Sequence, residues 1–372
     1  TVTLGAIVPP LAPWLGATCG TMLQGGEWLV TQVAGWPGAY AYCSSPGPWW
    51  AGGLYAAAAL CVAAPRLRPG GGWLISGAML WGAMGLASLA ALRPAHDELR
   101  CTFLAVGHGT CAVLELPGGQ TLLYDAGSLA GPETTTRTIA GFLRSRGIAR
   151  IDALVISHAD VDHYNAMPGL LEQFPIGVVY VSPMMFDPLA TDGQLAAPEA
   201  LRAAAVAQRV PLREIWMNDR LRTTGAEVTI DVLHPPREGV LGRDNANSLV
   251  LTVEYAGRRI LLPGDLEAAG LESVLAEPPL DCDVLLAPHH GSPLSDPPGF
   301  AAWCTPEWVV MSGGREDRTG DAPRAYELAG AQVFHTATAG AVEFRLTAAE
   351  LRVSTYVPKT TPKHTGQLRK DE

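Results

Sequence analysis

The sequence predicts an α/β protein, a two-sheet αβ/βα sandwich preceded by hydrophobic transmembrane helices. Three observations carry that expectation. Charged residues are almost absent from residues 1–95 and ordinary in number thereafter. From residue 101 onward, short apolar runs of strand length alternate with Gly/Pro turns and helix-length segments. Four of those runs end in Asp or His, as strands feeding one sheet edge would.

The amino-terminal part comes first. Residues 1–23 carry no charge, 28–42 form a weaker apolar run, 49–64 are short for a span, and 73–92 suffice alone. A bilayer core takes roughly 20 apolar residues in a helix. Trp28, Trp36, Trp49, Trp50, Trp73 and Trp81 include several at run ends, where interfacial anchors sit. We read residues 1–95 as the carboxy-terminal fragment of a polytopic membrane domain; the competing reading is a soluble, Ala/Gly-rich helical domain. A cleaved signal peptide fits poorly, because the apolar character returns several times. Thr1 in place of Met fits a fragment or a processed product. Arg66 and Arg68 precede the last run and favour a cytoplasmic loop there. The expectation is therefore a multi-pass protein of the cell inner membrane with its following domain outside the cytoplasm, although Arg93 and Arg100 pull the other way.

The sandwich is expected over residues 96–358. Runs 101–106, 111–116 and 121–124 read as an antiparallel meander around Gly107-His108-Gly109 and Pro117-Gly118-Gly119. Helix 134–146, strand 152–156, helix 168–173, strand 178–182 and helix 198–209 follow. The second half repeats the style, with strands 228–233, 248–255 and 259–262, helix 266–276, strands 284–287 and 308–311, and helix 325–329. Strands 332–335 and 341–346 close the sheets. Residues 359–372 read as a polar disordered tail. The chain has 7 cysteines and no C-x-x-C pair; a Cys101–Cys111 bridge is compatible with the spacing, and nothing demands it.

The chemistry concentrates where strands end. Residues 151–156 are an apolar run, and His158, Asp160, Asp162 and His163 follow within a few residues. Imidazole and carboxylate together suit divalent ions such as Zn²⁺ or Mn²⁺. Asp125 follows the run 122–124, Gly264-Asp265 follows 261–262, and His289-His290-Gly291-Ser292 follows 285–287. Alone, each is weak, since Asp after Gly is ordinary turn chemistry. Together, on strand ends that meet at one edge, they point to a hydrolytic metal centre.

His158-x-Asp160-x-Asp162-His163, Gly264-Asp265 and His289-His290-Gly291-Ser292 resemble the metallo-β-lactamase superfamily. Within it the chain looks like the carboxy-terminal domain of ComEC-type competence proteins, the DNA-uptake channel. The resemblance spans residues 103–346 and includes Asn247-Ser248-Leu249-Val250-Leu251 and the run 309–314. Leu29 and Pro37-Gly38-Ala39 resemble the end of the ComEC membrane domain. The resemblance implies two adjacent divalent ions, Zn or Mn. His158 and Asp160 would hold one, Asp162 and His163 the other, Asp265 would bridge, and His290 would complete the second. Asp160 stands where most of the superfamily has His, as is usual in ComEC-like members. Asp162 would also orient the nucleophile. His289 would be a supporting residue or proton donor, with its order relative to His290 open. Asp125 would hold strand geometry or a ligand imidazole. Asn247 and Ser292 are further supporting or substrate-facing candidates; for Ser292 and Ser295 a cap or turn role is equally open. His234 is a weak candidate for the first ion.

Two features depart from that pattern. The resembled domain begins Asp-Val-Gly-Gln-Gly-Asp, whereas Ala105-Val106-Gly107-His108-Gly109-Thr110 stands here, and Asp321-Ala322-Pro323 replaces a late His-Pro pair. His108 has two readings, an approach to the site and a loop histidine, and we favour the second. Residues 101–358 hold 18 Arg, no Lys and 31 Asp+Glu, a net charge of −13, which is unlike a nucleic-acid-binding surface. Arg137, Arg144, Arg146 and Arg150 offer a basic stripe or a solvated helix face. Three functions are therefore expected in order. The first is a membrane-anchored two-metal nuclease of a DNA-uptake protein, acting on the non-transported strand, with single-stranded DNA, the membrane and other uptake components as partners. The second is a hydrolase of a small phosphodiester, ester or lactone, and the third is an impaired, DNA-guiding structural domain.

Overall fold

Successive apolar side chains after residue 97 point to opposite faces of each strand, and that period builds the architecture. The computed structural model describes residues 12–34, 36, 48–67, 69–91, 97–189, 191, 193, 195–223, 227–314 and 319–357. The polar tail 359–372 and Pro37-Gly38-Ala39 lie outside them. The chain divides into two compact units, Thr1–Cys43 and Ser44–Glu372.

The first unit holds helix α1 (Ala12–Ala34). Its Thr18 and Thr21 hydroxyls donate back to the Trp14 and Ala17 carbonyls. The second unit opens with α2 (Pro48–Ala63) and α3 (Gly71–Ala91), both on apolar runs of the sequence. Two tryptophans lock this pair. Trp50 Nε1 donates to the Trp81 carbonyl at 2.9 Å, and Trp81 Nε1 to the Trp50 carbonyl at 3.2 Å. Glycine makes the room: a Cβ at Gly53 would lie 2.6 Å from the Trp81 ring, and one at Gly85 2.5 Å from the Trp50 ring. Large apolar residues such as Tyr55, Trp73 and Leu80 remain exposed. Among the described residues, no helix is long and apolar enough to cross a membrane.

The chain then lays down β1 (Leu99–Phe103), β2 (Ala112–Glu115), β3 (Thr121–Tyr124), α4 (Pro132–Ser145), β4 (Ala153–Ile156), α5 (Val161–Tyr164), α6 (Met167–Gln173), β5 (Val179–Val181), α7 (Ala196–Ala207) and β6 (Leu212–Glu214). The second half runs β7 (Arg220–Leu221), β8 (Val228–His234), β9 (Val250–Tyr255), β10 (Arg258–Leu262), α8 (Ala268–Leu275), β11 (Val284–Leu286), α9 (Pro297–Cys304), β12 (Trp308–Met311), α10 (Ala322–Leu328) and β13 (Gln332–His335). It closes with α11 (Thr336–Ala339), β14 (Val342–Leu346) and β15 (Leu351–Thr355). One sheet has the order β15-β14-β1-β2-β3-β4-β5-β6, the other β13-β12-β11-β10-β9-β8-β7. Each is antiparallel at one side and parallel from its middle onward, β3 to β6 and β10 to β13. The strands expected at 332–335 and 341–346 part company: β13 ends the second sheet and β14 crosses to pair with β1. The sequence reading passed over β6, β7, β15 and α9, which are short or lie among polar residues.

Three apolar layers follow from the alternation. Leu122, Tyr124, Val284 and Leu286 face between the sheets. Leu123, Leu154 and Ile156 pack under Ile139, Leu143 and Leu170 of α4 and α6. Leu261, Leu285 and Val309 pack under Leu271, Phe300 and Tyr326 of α8, α9 and α10. Cys101 and Cys111 are free; they belong to different layers on opposite faces of the first sheet, so the bridge their spacing allowed does not form.

The arginines offered as a basic stripe are largely tied up. Arg144 donates to Gln173 at 2.7 Å, and Arg150 pairs with Asp152 at 3.0 Å. Arg146 sits between the buried Glu115 (2.8 Å) and Glu343 (3.1 Å), joining the end of α4 to β2 and β14. Removing one partner of a buried ion pair leaves unpaired charge and costs about 3–5 kcal/mol. Arg146→Met is therefore expected to lower the stability of the sandwich by about that amount, read from the shift of its chemical-denaturation midpoint; an unchanged midpoint would show the triad to be dispensable.

Candidate metal centre

Five strands deliver side chains to one edge. Asp125 follows β3, Ser157 and His158 follow β4, Asp265 follows β10, His289 and His290 follow β11, and Ser312 follows β12. The short helix α5 adds Asp162 and His163.

The first group forms around Asp125, which is fully buried with φ +58°. Its carboxylate accepts from the Ser157 N–H (2.7 Å), the Ser157 hydroxyl (2.9 Å) and His163 Nδ1 (2.8 Å). With its hydrogen given to Asp125, Ser157 Oγ accepts from His158 Nδ1 at 2.8 Å. Both imidazoles then hold a proton on Nδ1 and turn Nε2 toward the site. Burial, with help from His163, pushes the His158 pKa down to about 3, so this ring stays neutral. For His163 burial also opposes charge, but Asp265 and Asp125 outweigh it and hold the pKa well above its ordinary value.

The second half supplies the opposite wall. Residues His289 and His290 both adopt left-handed backbone, φ +49° and +55°. That conformation costs a non-glycine residue roughly 1–2 kcal/mol, and such strain gathers at functional sites. His290 Nδ1 donates to the Ser312 carbonyl at 2.8 Å, again freeing Nε2. The Nε2 atom lies 3.4 Å from Asp162 Oδ2 and 3.5 Å from Asp265 Oδ2. The other Asp265 oxygen lies 3.2 Å from His163 Nε2. Asp265 thus faces both groups, one oxygen to each. Burial alone would raise its carboxyl pKa, but His163 and His290 hold it well below the usual range.

Donor atoms of His158, His163 and Asp265 lie within 4.8 Å of one another, as do those of His108, Asp162 and His290. His163 therefore stands with His158, although its Nε2 is also 3.9 Å from Asp162. Asp160 joins neither group. It is exposed and caps α5, accepting from the Val161 N–H at 2.7 Å. Nor does His234, whose Nδ1 meets the Ser248 carbonyl at 3.0 Å; its buried Nε2 also lacks a hydrogen-bond partner, but it lies outside both groups. Asn247 braces its own loop through Val240 and Arg243. Ser292 caps the next turn, and Ser295 donates to the Leu266 carbonyl. His289 Nδ1 meets Glu267 at 3.0 Å, leaving Nε2 3.8 Å from Asp265. Sequence reasoning does not single out Ser157, Glu267 or Ser312, and it ranks the approach of His108 below a loop role. Of the first three, only Glu267, two residues after Gly264-Asp265, carries a visible signal.

The model of the metallo-beta-lactamase superfamily matches residues 104–298, more than half of the chain. The chain belongs to that superfamily. Among curated relatives, Competence protein ComA of Neisseria gonorrhoeae is 28% identical over 77% of this chain and 38% of its own length. ComE operon protein 3 of Bacillus subtilis is 29% identical over 49% of this chain and 22% of its own. They support the ComEC-type resemblance read from the motifs, and the chain spans less than two fifths of either. The metallo-beta-lactamase fold protein YhfI of Bacillus subtilis matches with a TM-score of 0.44 at 13% identity, over 66% of this chain and 99% of that one.

The metallo-beta-lactamase fold implies divalent metal ions, and the residues present fit them. Nε2 of His158, His163 and His290 is buried in each case with no hydrogen-bond partner, an arrangement costly in a metal-free core. Tetrahedral donors bound at about 2.0–2.2 Å are about 3.3–3.6 Å apart, which the separations of 3.2, 3.4 and 3.5 Å approach. Supporting residues of this kind are worth about 10–100-fold in metal affinity. Asp125→Ala is expected to weaken Zn²⁺ binding within that range, measured by calorimetric titration; undiminished affinity would show that Ser157 alone orients the two rings.

Proposed function

We propose that the chain is a two-metal phosphodiesterase of a DNA-uptake protein, a nuclease acting on the strand that is not transported. The observation that carries the reading is the set of three buried, unpartnered Nε2 atoms of His158, His163 and His290. They surround Asp162 and Asp265, beside a half-buried His289. The competence relatives supply the DNA-uptake context. His158, His163 and Asp265 would hold one ion, and Asp162, Asp265 and His290 the other. Residues 1–95 form the end of a membrane domain of the inner membrane and 96–358 the hydrolase on its outer side, with 359–372 a polar tail. Single-stranded DNA, the membrane and other uptake components are its partners.

Two divalent ions supply Lewis acidity toward phosphoryl oxygens and an acidified water. The side chains do the rest. Asp162 orients the attacking water. His289, 26% exposed and fixed by Glu267, turns Nε2 toward the site and delivers a proton to the leaving oxygen. Asp125 and Ser312 keep the imidazoles aligned. A second reading, a small phosphodiester or ester as substrate, is favoured by the net charge of −13 and by the arginines held in pairs.

The test is metal content and cleavage of single-stranded DNA by the full chain in detergent, with Mn²⁺ or Zn²⁺. Asp265→Ala is expected to lose bound metal and to lose cleavage by more than the roughly 100-fold that a supporting residue costs. Bound metal without DNA cleavage, but with turnover of small esters, would favour the second reading. His289→Ala is expected to slow DNA cleavage by about 10²–10⁴-fold while sparing an aryl phosphodiester whose leaving group needs no proton. Equal loss on both substrates would remove His289 as the proton donor.

A further inference from the structure

The loop between β1 and β2 brings an imidazole to the centre that the family resemblance does not supply. His108 Nε2 lies 3.5 Å from Asp162 Oδ2, and its ring lies 4.7 Å from that of His290, centroid to centroid. His290 Nε2 is 3.4 Å from the same Asp162 oxygen. A spacing of 3.5 Å is long for a hydrogen bond between nitrogen and carboxylate. It matches about 3.3–3.6 Å, the edge of a tetrahedron of donors around one ion.

The backbone fixes this approach from several sides. Gly107 and Gly109 have φ +94° and +140°, and a Cβ at Gly109 would lie 2.5 Å from the Gly127 carbonyl oxygen. The His108 carbonyl accepts from the Leu129 N–H at 2.8 Å. Ser312 joins the two histidine loops: its hydroxyl donates to the Gly109 carbonyl at 2.7 Å, and its own carbonyl holds His290 Nδ1. One residue thus sets the separation of His108 and His290.

We propose that His108 is a ligand of the second ion, completing a His108–Asp162–His290 face on its solvent side. The proposal rests on the two-metal reading above. It gives the second position two imidazoles beside its carboxylates, a softer donor set that favours Zn²⁺ over Mn²⁺. His108 is 39% exposed, so it covers that ion from the mouth of the site.

The experiment is a titration of the metal-free full chain with Co²⁺, Zn²⁺ and Mn²⁺, followed by visible absorption of Co²⁺ and by calorimetry, for wild type, His108→Ala and His108→Gln. Gln keeps a donor for a hydrogen bond to Asp162 but does not replace imidazole as a ligand. The expected result is two equivalents in wild type. Both variants should bind the second at least about tenfold more weakly, with an altered Co²⁺ spectrum for that equivalent, an unchanged first equivalent and a reduced preference for Zn²⁺ over Mn²⁺. Full recovery by Gln would make His108 a hydrogen-bonding partner of Asp162 and overturn the assignment, as would two unchanged equivalents in both variants; in either case the two-metal reading stands. One equivalent or none in wild type would overturn both. Unchanged folding is read by circular dichroism and by the intact first equivalent.

Discussion

The buried carboxylate of Asp125 is the interaction on which the rest of this centre depends. A fully buried carboxylate needs its acceptors filled, and Ser157 and His163 fill them. In doing so they join the ends of β3 and β4 and fix the Nδ1 side of two imidazoles. The approach also requires an absent side chain. A Cβ at Gly127 would lie 2.4 Å from the backbone of Asp162. With glycine there, α5 comes down onto the strand ends and carries Asp162 and His163 with it.

The second half of the sandwich meets this wall with its own devices. Two successive histidines in left-handed backbone turn the chain sharply after β11, and Gly291, at φ +84°, continues the turn. Ser312 holds His290 by its carbonyl and the β1–β2 loop by its hydroxyl. Asp265, after Gly264, sends one oxygen to each half. The strain at His289 and His290 is sustained by this packing, because neither turn could persist in an isolated segment.

Electrostatics sharpen the picture. The domain is acidic, and Arg144, Arg146 and Arg150 are occupied by Gln173, Glu115, Glu343 and Asp152. Ions at the centre, by offsetting Asp162 and Asp265, would supply attraction for an anionic substrate that these three arginines do not. Family membership and the donor set make this a metal-dependent hydrolase fold. The choice between a DNA strand and a small ester turns on what the mouth of the site admits.

Much of this was legible in the chain itself. Strand runs such as 121–124 and 284–287, the turn glycines between them and the ligand-type residues at their ends follow from local patterning, because strand alternation and turn chemistry are short-range. The sandwich, and the presence of His158, Asp162, His163, Asp265 and His290 at one edge, followed from those patterns. The partition of donors did not. Asp160 reads as a ligand by spacing, yet the first turn of α5 uses it as a cap; His108 reads as a loop residue, yet Ser312, 204 positions later in the sequence, helps hold it against Asp162. The opposite faces of Cys101 and Cys111 and the pairing of Arg146 with the buried Glu115 and Glu343 were equally hidden. Local sequence determines which groups a strand end can offer. Which of them share one ion-sized space depends on contacts between residues far apart in the chain, and only the packed tertiary structure decided that.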